Sequence, residues 1–439
     1  MKKRIIKRSD KFSEKKKLSF IHTSDLHLDS TFSGFSEVNP ELSKILLKST
    51  FHAYDSIINI CIQKKVDFLL IAGDVYDSAN KSLYAQLKFL DGLRKLSDAG
   101  ISVYVAHGNH DPLNGWSASL DWPDKVKIMR GDAIESIEFQ KEGEVAAHII
   151  GTSYPTQQIW ANLVKEFPKR NNESPFTIGL LHCTLGSGEG HEPYAPCTLQ
   201  DLKELNYNYW ALGHIHKPLL MNEFDPVIIY PGNPQGRDPG ELGSRGCYYI
   251  TVDNKNEISK EFIETDSIRW FNEEISINGI ETEGELLEKI SENIDAVTEK
   301  AAGRSVICRY ILTGRGSLHH TLAKEGVVDD ILQHLREDVV FDTQFVWVQN
   351  LINDTHISVD RDLLLKRKDF VGDLVNISEG IGKDEKALKS LTKSLDPLFS
   401  SAQGRKLLKQ IDQQELIELL RQAEYLLLDN IIFEDKYED

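Results

Sequence analysis

The chain has 439 residues, a length for about two or three domains, and its 40% apolar residues suffice for a sizeable core. No apolar run approaches the ~20 residues of a membrane span. The basic start (Lys2, Lys3, Arg4, Lys7, Arg8, Lys11, Lys15, Lys16, Lys17) lacks the apolar stretch of a secretory signal. The net charge of −17 speaks against broad polyanion binding by the whole surface, but it is unevenly spread. Residues 271–439 hold 20 Lys and Arg against 33 Asp and Glu, whereas residues 1–270 hold 31 against 35. A phosphodiester substrate is therefore not excluded for the N-terminal part. Five scattered cysteines (61, 183, 197, 247 and 308) form no spaced pairs, which fits a reducing cytoplasm without a disulfide framework.

Residues 1–17 read as a basic flexible arm, either a solvated tail or a DNA-contacting segment. From Leu18 an α/β pattern begins. Leu18–His22 is a short apolar strand ending just before Asp25. Glu41–Lys65 has helical apolar spacing, Val66–Ala72 is a strand-length apolar run ending at Gly73-Asp74, and Leu83–Leu96 is helical again. Ile101–Ala106 is a third strand, followed by Gly108-Asn109-His110-Asp111. Continuous apolar strands alternating with amphipathic helices predict a sheet covered on both faces. Next, Thr177–Leu181 leads to His182, and Tyr209–Leu212 leads to Gly213-His214-Ile215-His216. Val227–Tyr230 and Cys247–Val252 follow, with turn residues between them. This predicts a second sheet packed on the first, in a catalytic domain spanning 18–270.

Residues 271–358 read as a small α+β accessory domain: helix Glu283–Ala302, strand Ser305–Leu312, helix His320–Glu337 and strand Gln344–Asn350. Residues 359–439 read as a helical C-terminal region. There Leu416, Leu419, Leu420, Ala423, Leu426 and Leu427 make one apolar stripe, for packing on the chain itself or docking to a partner's helices.

The informative residues lie at the strand ends. Asp25 and His27 are two apart, so one turn can aim both at one ion. Asp74 follows a glycine that permits a tight turn, and its carboxylate can bridge two cations. Asn109 offers a neutral oxygen, and His182, His214 and His216 add imidazoles. Each piece alone is weak, because an Asp-x-His or His-x-His occurs by chance. Together they place seven oxygen and nitrogen ligands, with no cysteine, beyond the carboxyl ends of strands, where α/β sheets put their sites. Such ligands suit two divalent ions of the manganese type, a standard device for phosphate ester hydrolysis.

The order Asp-x-His, Gly-Asp-x-x-Asp, Gly-Asn-His-Asp, His, Gly-His-x-His resembles the calcineurin-like metallophosphoesterase superfamily, over roughly residues 18–252. The string from Ile21 to Asp29 resembles the start of SbcD-type DNA repair exonucleases. Gly190-His191-Glu192-Pro193-Tyr194-Ala195-Pro196-Cys197, the run Tyr209–His216, the run Tyr230–Arg237 and Lys368-Asp369-Phe370-Val371-Gly372-Asp373-Leu374 are similar to the YhaO branch of that group. The resemblance implies a metallophosphoesterase fold of two packed mixed β-sheets flanked by helices, and DNA phosphodiester hydrolysis in DNA repair. It implies that Asp25, His27 and His216 hold one ion, that Asn109, His182 and His214 hold the other, and that Asp74 bridges them. By the same resemblance His110 is a general acid rather than a ligand, and the Asp77 carboxylate hydrogen-bonds it and keeps it cationic. Nuclease relatives with a histidine at the Asp77 position differ, so a scheme with two catalytic histidines does not carry over.

The chain has no Gly-x-x-x-x-Gly-Lys-Ser/Thr loop for ATP. The resemblance implies a separate SbcC-like coiled-coil ATPase as partner, docking on the C-terminal helices, and a homodimer. A small-molecule phosphodiesterase of the same superfamily is the alternative reading, and an inert scaffold is disfavoured because every ligand is present. His22 and His107 read as core histidines. His191 reads as either a loop residue or a phosphate contact, Arg237 as a structural residue or a substrate contact, and Lys366, Arg367 and Lys368 as a solvated basic face.

Overall fold

A computed structural model describes residues 18–30, 32, 39–77, 81–171, 173–186, 193–341, 344–400 and 411–434. The basic arm and His191 lie outside these residues. The strands are β1 (Leu18–Thr23), β2 (Phe68–Ala72), β3 (Ser102–Ala106), β4 (Val126–Ile128), β5 (Glu135–Lys141), β6 (Glu144–Gly151), β7 (Phe176–His182), β8 (Tyr209–Gly213), β9 (Leu219–Asn222), β10 (Val227–Tyr230), β11 (Gly246–Val252), β12 (Ile258–Glu264), β13 (Ile268–Ser276), β14 (Ser305–Thr313) and β15 (Val346–Asn353). By packing, the described chain divides into two compact units. The first runs to Asn272 and adds Ile294–Arg309 and Arg336–Gln349. The second holds Glu273–Asn293, Tyr310–Leu335 and the described residues from Asn350 onward.

Two mixed six-stranded sheets form the body of the first unit, with orders β12-β11-β1-β2-β3-β4 and β5-β6-β7-β8-β10-β9. Strands β1 to β4 are mutually parallel, with β11 running antiparallel between β1 and β12; β6, β7, β8 and β10 are also mutually parallel, with antiparallel β5 and β9 at the edges. Cover on both faces explains why the central strands β1, β2, β7 and β8 are buried along their whole length, with alternate side chains going to opposite faces. Phe20, Phe68, Leu70 and Ala72 face inward and join Ile149, Ile178, Leu180, Tyr209 and Ala211 of the other sheet in one core cluster. Their neighbours Ile21, Leu69, Ile71, Val103 and Val105 face the helices α1 (Pro40–Lys64) and α2 (Leu83–Asp98), meeting Tyr54, Ile57, Ile58, Phe89 and Leu93. The outer face of the second sheet, with Leu181, Trp210, Leu212 and Tyr230, is covered by Val164, Phe167 and Leu202, the last on α3 (Leu199–Glu204). A third sheet has the order β13-β14-β15.

The helix start at Pro40 follows from local chemistry. The Asn39 side chain accepts from the N–H groups of Glu41 and Leu42, and a proline fits the first helical position. The single helix expected over His320–Glu337 is instead two, His319–Leu322 and Val327–Glu337, because Gly326 turns the chain at φ +84°.

The C-terminal stripe also differs from expectation. In the second unit the helix Gln413–Glu434 buries Leu416, Glu424 and Leu428 and leaves Leu419, Leu426 and Leu427 exposed. Arg361 draws Glu424 inward, with Nε 2.8 Å from its carboxylate. The inward line therefore passes through a charged position that apolar counting skips. The basic run is solvent-facing as read, with Arg367 donating to Asp369 at 2.7 Å. No helix among the described residues is long and apolar enough to cross a membrane.

His22 is a core histidine, fully buried on β1, with Nδ1 2.9 Å from the Tyr209 hydroxyl. Burial, which penalises the charged ring, lowers its pKa to about 3. The unfolded chain takes up this proton near pH 6.5 and the folded chain does not, so stability is full above pH 6.5 and falls as pH drops toward 3. In metal-free buffer the wild type is expected to lose about 1 kcal/mol more than His22→Gln for each pH unit between 6 and 4. Parallel stability profiles in urea titrations would contradict this.

Candidate metal centre

The carboxyl ends of β1, β2, β3, β7 and β8 carry the predicted residues. Beyond β1 and β2 the two chains continue side by side: Asp25 N–H donates to Gly73 O (3.0 Å), His27 N–H to Asp74 O (3.1 Å) and Leu28 N–H to Val75 O (3.0 Å). This pairing holds residues in left-handed backbone. Asp25, His27, Asp74 and His214 have φ of 53°, 43°, 51° and 102°. Such conformations are uncommon for residues other than glycine and cluster at functional sites. Gly73 is required twice over: its φ is 93°, and a Cβ there would lie 2.2 Å from His182 Nδ1.

Three clusters result, each with one ligand atom per residue within 4.8 Å of the others: Asp25, His27 and His216; Asp25, Asp74 and His182; and His27, Asp77 and His110. Asn109 Oδ1 lies 3.0 Å and Asp74 Oδ2 3.3 Å from His182 Nε2. The His214 ring meets that of His182 edge-on, centroids 5.2 Å apart, while its main-chain N–H donates to Asp25. Asp25, His27, Asp74, Asn109, His182 and His214 are all buried.

The orientation of the rings fits cations. His27 Nδ1 is 2.8 Å from an Asp77 oxygen. His216 Nδ1 is 2.6 Å from Glu241 Oε1. With both Nδ1 atoms turned to carboxylates, the two Nε2 atoms face each other at 3.3 Å. With the ring protons on Nδ1, two imidazole lone pairs face each other at that distance and repel unless positive charge, a proton or a cation, lies between them. His182 repeats the pattern: Nδ1 donates to Ala72 O at 2.9 Å, and Nε2 faces oxygens. Histidines that give N–H to an acceptor and offer Nε2 inward are the usual dress of a metal site. The donor set thus fits divalent cations.

The side chains alone carry strong electrostatic tension. Burial raises the Asp25 carboxyl. It would raise Asp74 too, but His182 overrides it and holds Asp74 well below the usual range. Burial would depress His182, yet Asp74 and then Asp25 push it up to about 9. His27 is brought down to about 3, first by burial and then by the Arg237 charge. Glu241 is held at about 2 against its burial by the hydrogen bond and charge of His216.

One expectation is corrected. The Asp77 carboxylate does not hold His110; it sits against His27 and accepts from Arg237 NH1 at 2.7 Å. His110 Nδ1 donates instead to the Asp77 main-chain carbonyl at 3.0 Å. The carboxylate pairs with the Arg237 guanidinium, which also donates to Ser30 Oγ at 2.8 Å. Arg237 thereby braces Asp77.

Sequence reasoning missed two residues. Glu241 binds His216, Asn233 Nδ2 (2.7 Å) and the Arg237 N–H (2.6 Å), and its only signal was a carboxylate just after a turn. Asp111 accepts from Gly108 N–H (2.8 Å), Val75 N–H (2.9 Å) and His107 Nδ1 (2.8 Å), clamping the loops after β2 and β3 together. His107 is accordingly a buried partner of Asp111.

The calcineurin-like phosphoesterase family matches residues 18–218, and the middle domain of metallophosphoesterase YhaO matches residues 270–356. The chain is 34% identical over 410 residues to the metallophosphoesterase YhaO of Bacillus subtilis, covering 93% of this chain and 97% of that protein. It is 25% identical over 226 residues to the DNA double-strand break repair protein Mre11 of Methanocaldococcus jannaschii, covering 50% of this chain and 57% of that one. With the protein of the same name from Sulfurisphaera tokodaii it shares 24% identity over 318 residues, covering 70% and 77%.

Glu241→Gln keeps the size of the side chain but removes the charge that orients His216. It is expected to weaken manganese binding by about 10- to 100-fold in calorimetric titration. Unaltered affinity would show that Glu241 does not support the centre.

Proposed function

This chain belongs to the calcineurin-like metallophosphoesterase family, and from that premise we propose that it is a two-metal-dependent nuclease hydrolysing phosphodiester bonds at DNA ends. The observation that carries the reading is the inward convergence of imidazole, carboxylate and amide donors from five strand ends, with His110 beside them. Asp25, His27 and His216 would hold one ion, and Asn109, His182 and His214 the other, with Asp74 shared. Once bound, the ions, most suitably Mn2+, supply an activated water and positive charge against the phosphate oxygens.

The chain's own residues do the rest. Asp77 and Glu241 fix the rings of His27 and His216 so that each Nε2 points inward. Arg237 neutralises part of the Asp77 charge. His110 stands edge-on to His27, ring centroids 5.0 Å apart, and its main-chain N–H donates to Asp74 at 3.0 Å. Its Nδ1 is committed to a carbonyl, so Nε2 is the atom that hands a proton to the leaving oxygen. Asp77 thus positions His110 through its main chain and His27 through its side chain.

Support for DNA as substrate comes from the relatives named as DNA double-strand break repair proteins and from the long region beyond the phosphoesterase match, which a small substrate does not require. In the second unit, exposed Leu419 and Leu427 of the last helix offer an apolar face to an SbcC-like coiled-coil ATPase. Cytoplasmic DNA repair is the setting we infer for this pair.

His110→Ala is expected to keep manganese affinity while turnover falls by about 10²–10⁴-fold. Loss of metal binding, or an unchanged rate, would remove His110 from this role. The substrate is tested by manganese-dependent degradation of end-labelled linear duplex DNA beside bis(p-nitrophenyl) phosphate. We expect both to be hydrolysed; hydrolysis of the small ester alone would favour the small-molecule phosphodiesterase.

A further inference from the structure

The loop that leaves β6 carries a large exposed ring close to the candidate centre. Trp160 is 56% exposed. It stacks on Tyr194, with ring centroids 5.5 Å apart and planes 23° from parallel. Tyr194 in turn meets the His214 ring edge-on, with centroids 5.7 Å apart. Two successive ring contacts therefore connect solvent to a residue of the centre. Tyr154, at the start of the same loop, meets the His182 ring in the same edge-on way at 5.7 Å.

The loop is held at both ends and in the middle. Leu113 N–H donates to Tyr154 O (2.9 Å) and Asn114 N–H to Pro155 O (3.3 Å), tying its start to the segment after His110. Ala195 N–H donates to Ile159 O (2.7 Å), tying the neighbour of Trp160 to the segment after His182. Asn162 Nδ2 donates to Asp201 Oδ2 (2.9 Å), fixing the far end at the cap of α3. Trp160 is thus presented on a backbone fixed by the same segments that carry His110 and His182. Such a ring loses little freedom when a second flat ring settles on it.

We propose that Trp160 is the stacking platform for an unpaired nucleobase whose own phosphate, or the next one, lies at the metal centre. The proposal rests on the nuclease reading and adds the form of DNA that enters the site. The group that flanks a phosphodiester in a nucleic acid is a flat base, and every base has a face that stacks on an aromatic ring without regard to sequence. A base inside a duplex already stacks on both faces. The platform therefore selects a single-stranded or frayed strand end over the interior of a duplex.

The test uses the full-length protein, Trp160→Ala and Trp160→Phe, with a single-stranded oligonucleotide and its copy bearing abasic residues at the terminal positions. Binding is read by fluorescence anisotropy in EDTA, and KM with manganese present. For the wild type, removing the bases should weaken binding by roughly 5- to 100-fold. Trp160→Ala should weaken binding of the intact strand by a similar factor and of the abasic strand no further, and Trp160→Phe should recover most of the loss. Equal weakening of both strands by Trp160→Ala would make Trp160 a support for Tyr194 and His214 and overturn the proposal. A mononucleotide that competes as well as the strand would assign the platform to free nucleotides and also overturn it. If DNA is cleaved with no effect of the bases, the stacking proposal fails and the nuclease reading stands. If the bases matter in EDTA but no strand is cleaved, the nuclease reading fails and the platform stands.

Discussion

The carbonyl of Ala72 is the joint on which the first unit's geometry depends. It belongs to β2 of one sheet, yet it accepts the Nδ1 proton of His182 on β7 of the other at 2.9 Å. A Cβ on Gly213, at the end of β8, would sit 1.8 Å from the same oxygen. The two sheets therefore meet in close contact where these strands end, and only a glycine at 213 admits that approach. A centre built from donors of both sheets needs this contact. The same hydrogen bond commits one nitrogen of His182 and turns the other toward Asp74 and Asn109, so packing and chemistry share one constraint.

Burial of so many polar side chains, with four of them on left-handed backbone, costs free energy, with each strained residue costing about 1–3 kcal/mol. The structure offsets part of this locally. The loops after β1 and β2 hydrogen-bond to each other as a short continuation of their ladder, and Asp111 satisfies three donors from the neighbouring loop ends. What local bonds leave over is electrostatic: two facing Nε2 atoms, and oxygens turned to His182. That remainder is what bound cations would relieve, which is why the site reads as a preformed metal centre rather than as a polar flaw in the core.

Much of this was legible in the residues. Strands β1, β2, β3, β7 and β8 are runs of apolar residues that end sharply, because both their faces are covered, and each ending coincides with a motif. Weaker signals went unread. The edge strand β5 alternates half-buried with exposed positions, and β4 is three residues long, so neither stands out from a loop. Glu241 could not be found by spacing, because its pairing with His216 is made by the fold across two turns. The partner of the Asp77 carboxylate was misplaced for a similar reason: motif spacing brings Asp77 near His110, but Arg237, 160 residues away, decides where its charge goes. On the last helix, Glu424 turned the buried line aside because Arg361 makes a buried carboxylate tolerable.

The central claim is that these donors hold two ions that share Asp74. Anomalous diffraction from crystals equilibrated with manganese measures this directly. The account predicts two peaks per chain flanking the Asp74 carboxylate, roughly 3.5–4 Å apart, one beside His27 and His216 and the other beside Asn109 and His182. A single peak, or peaks away from Asp74, would contradict it.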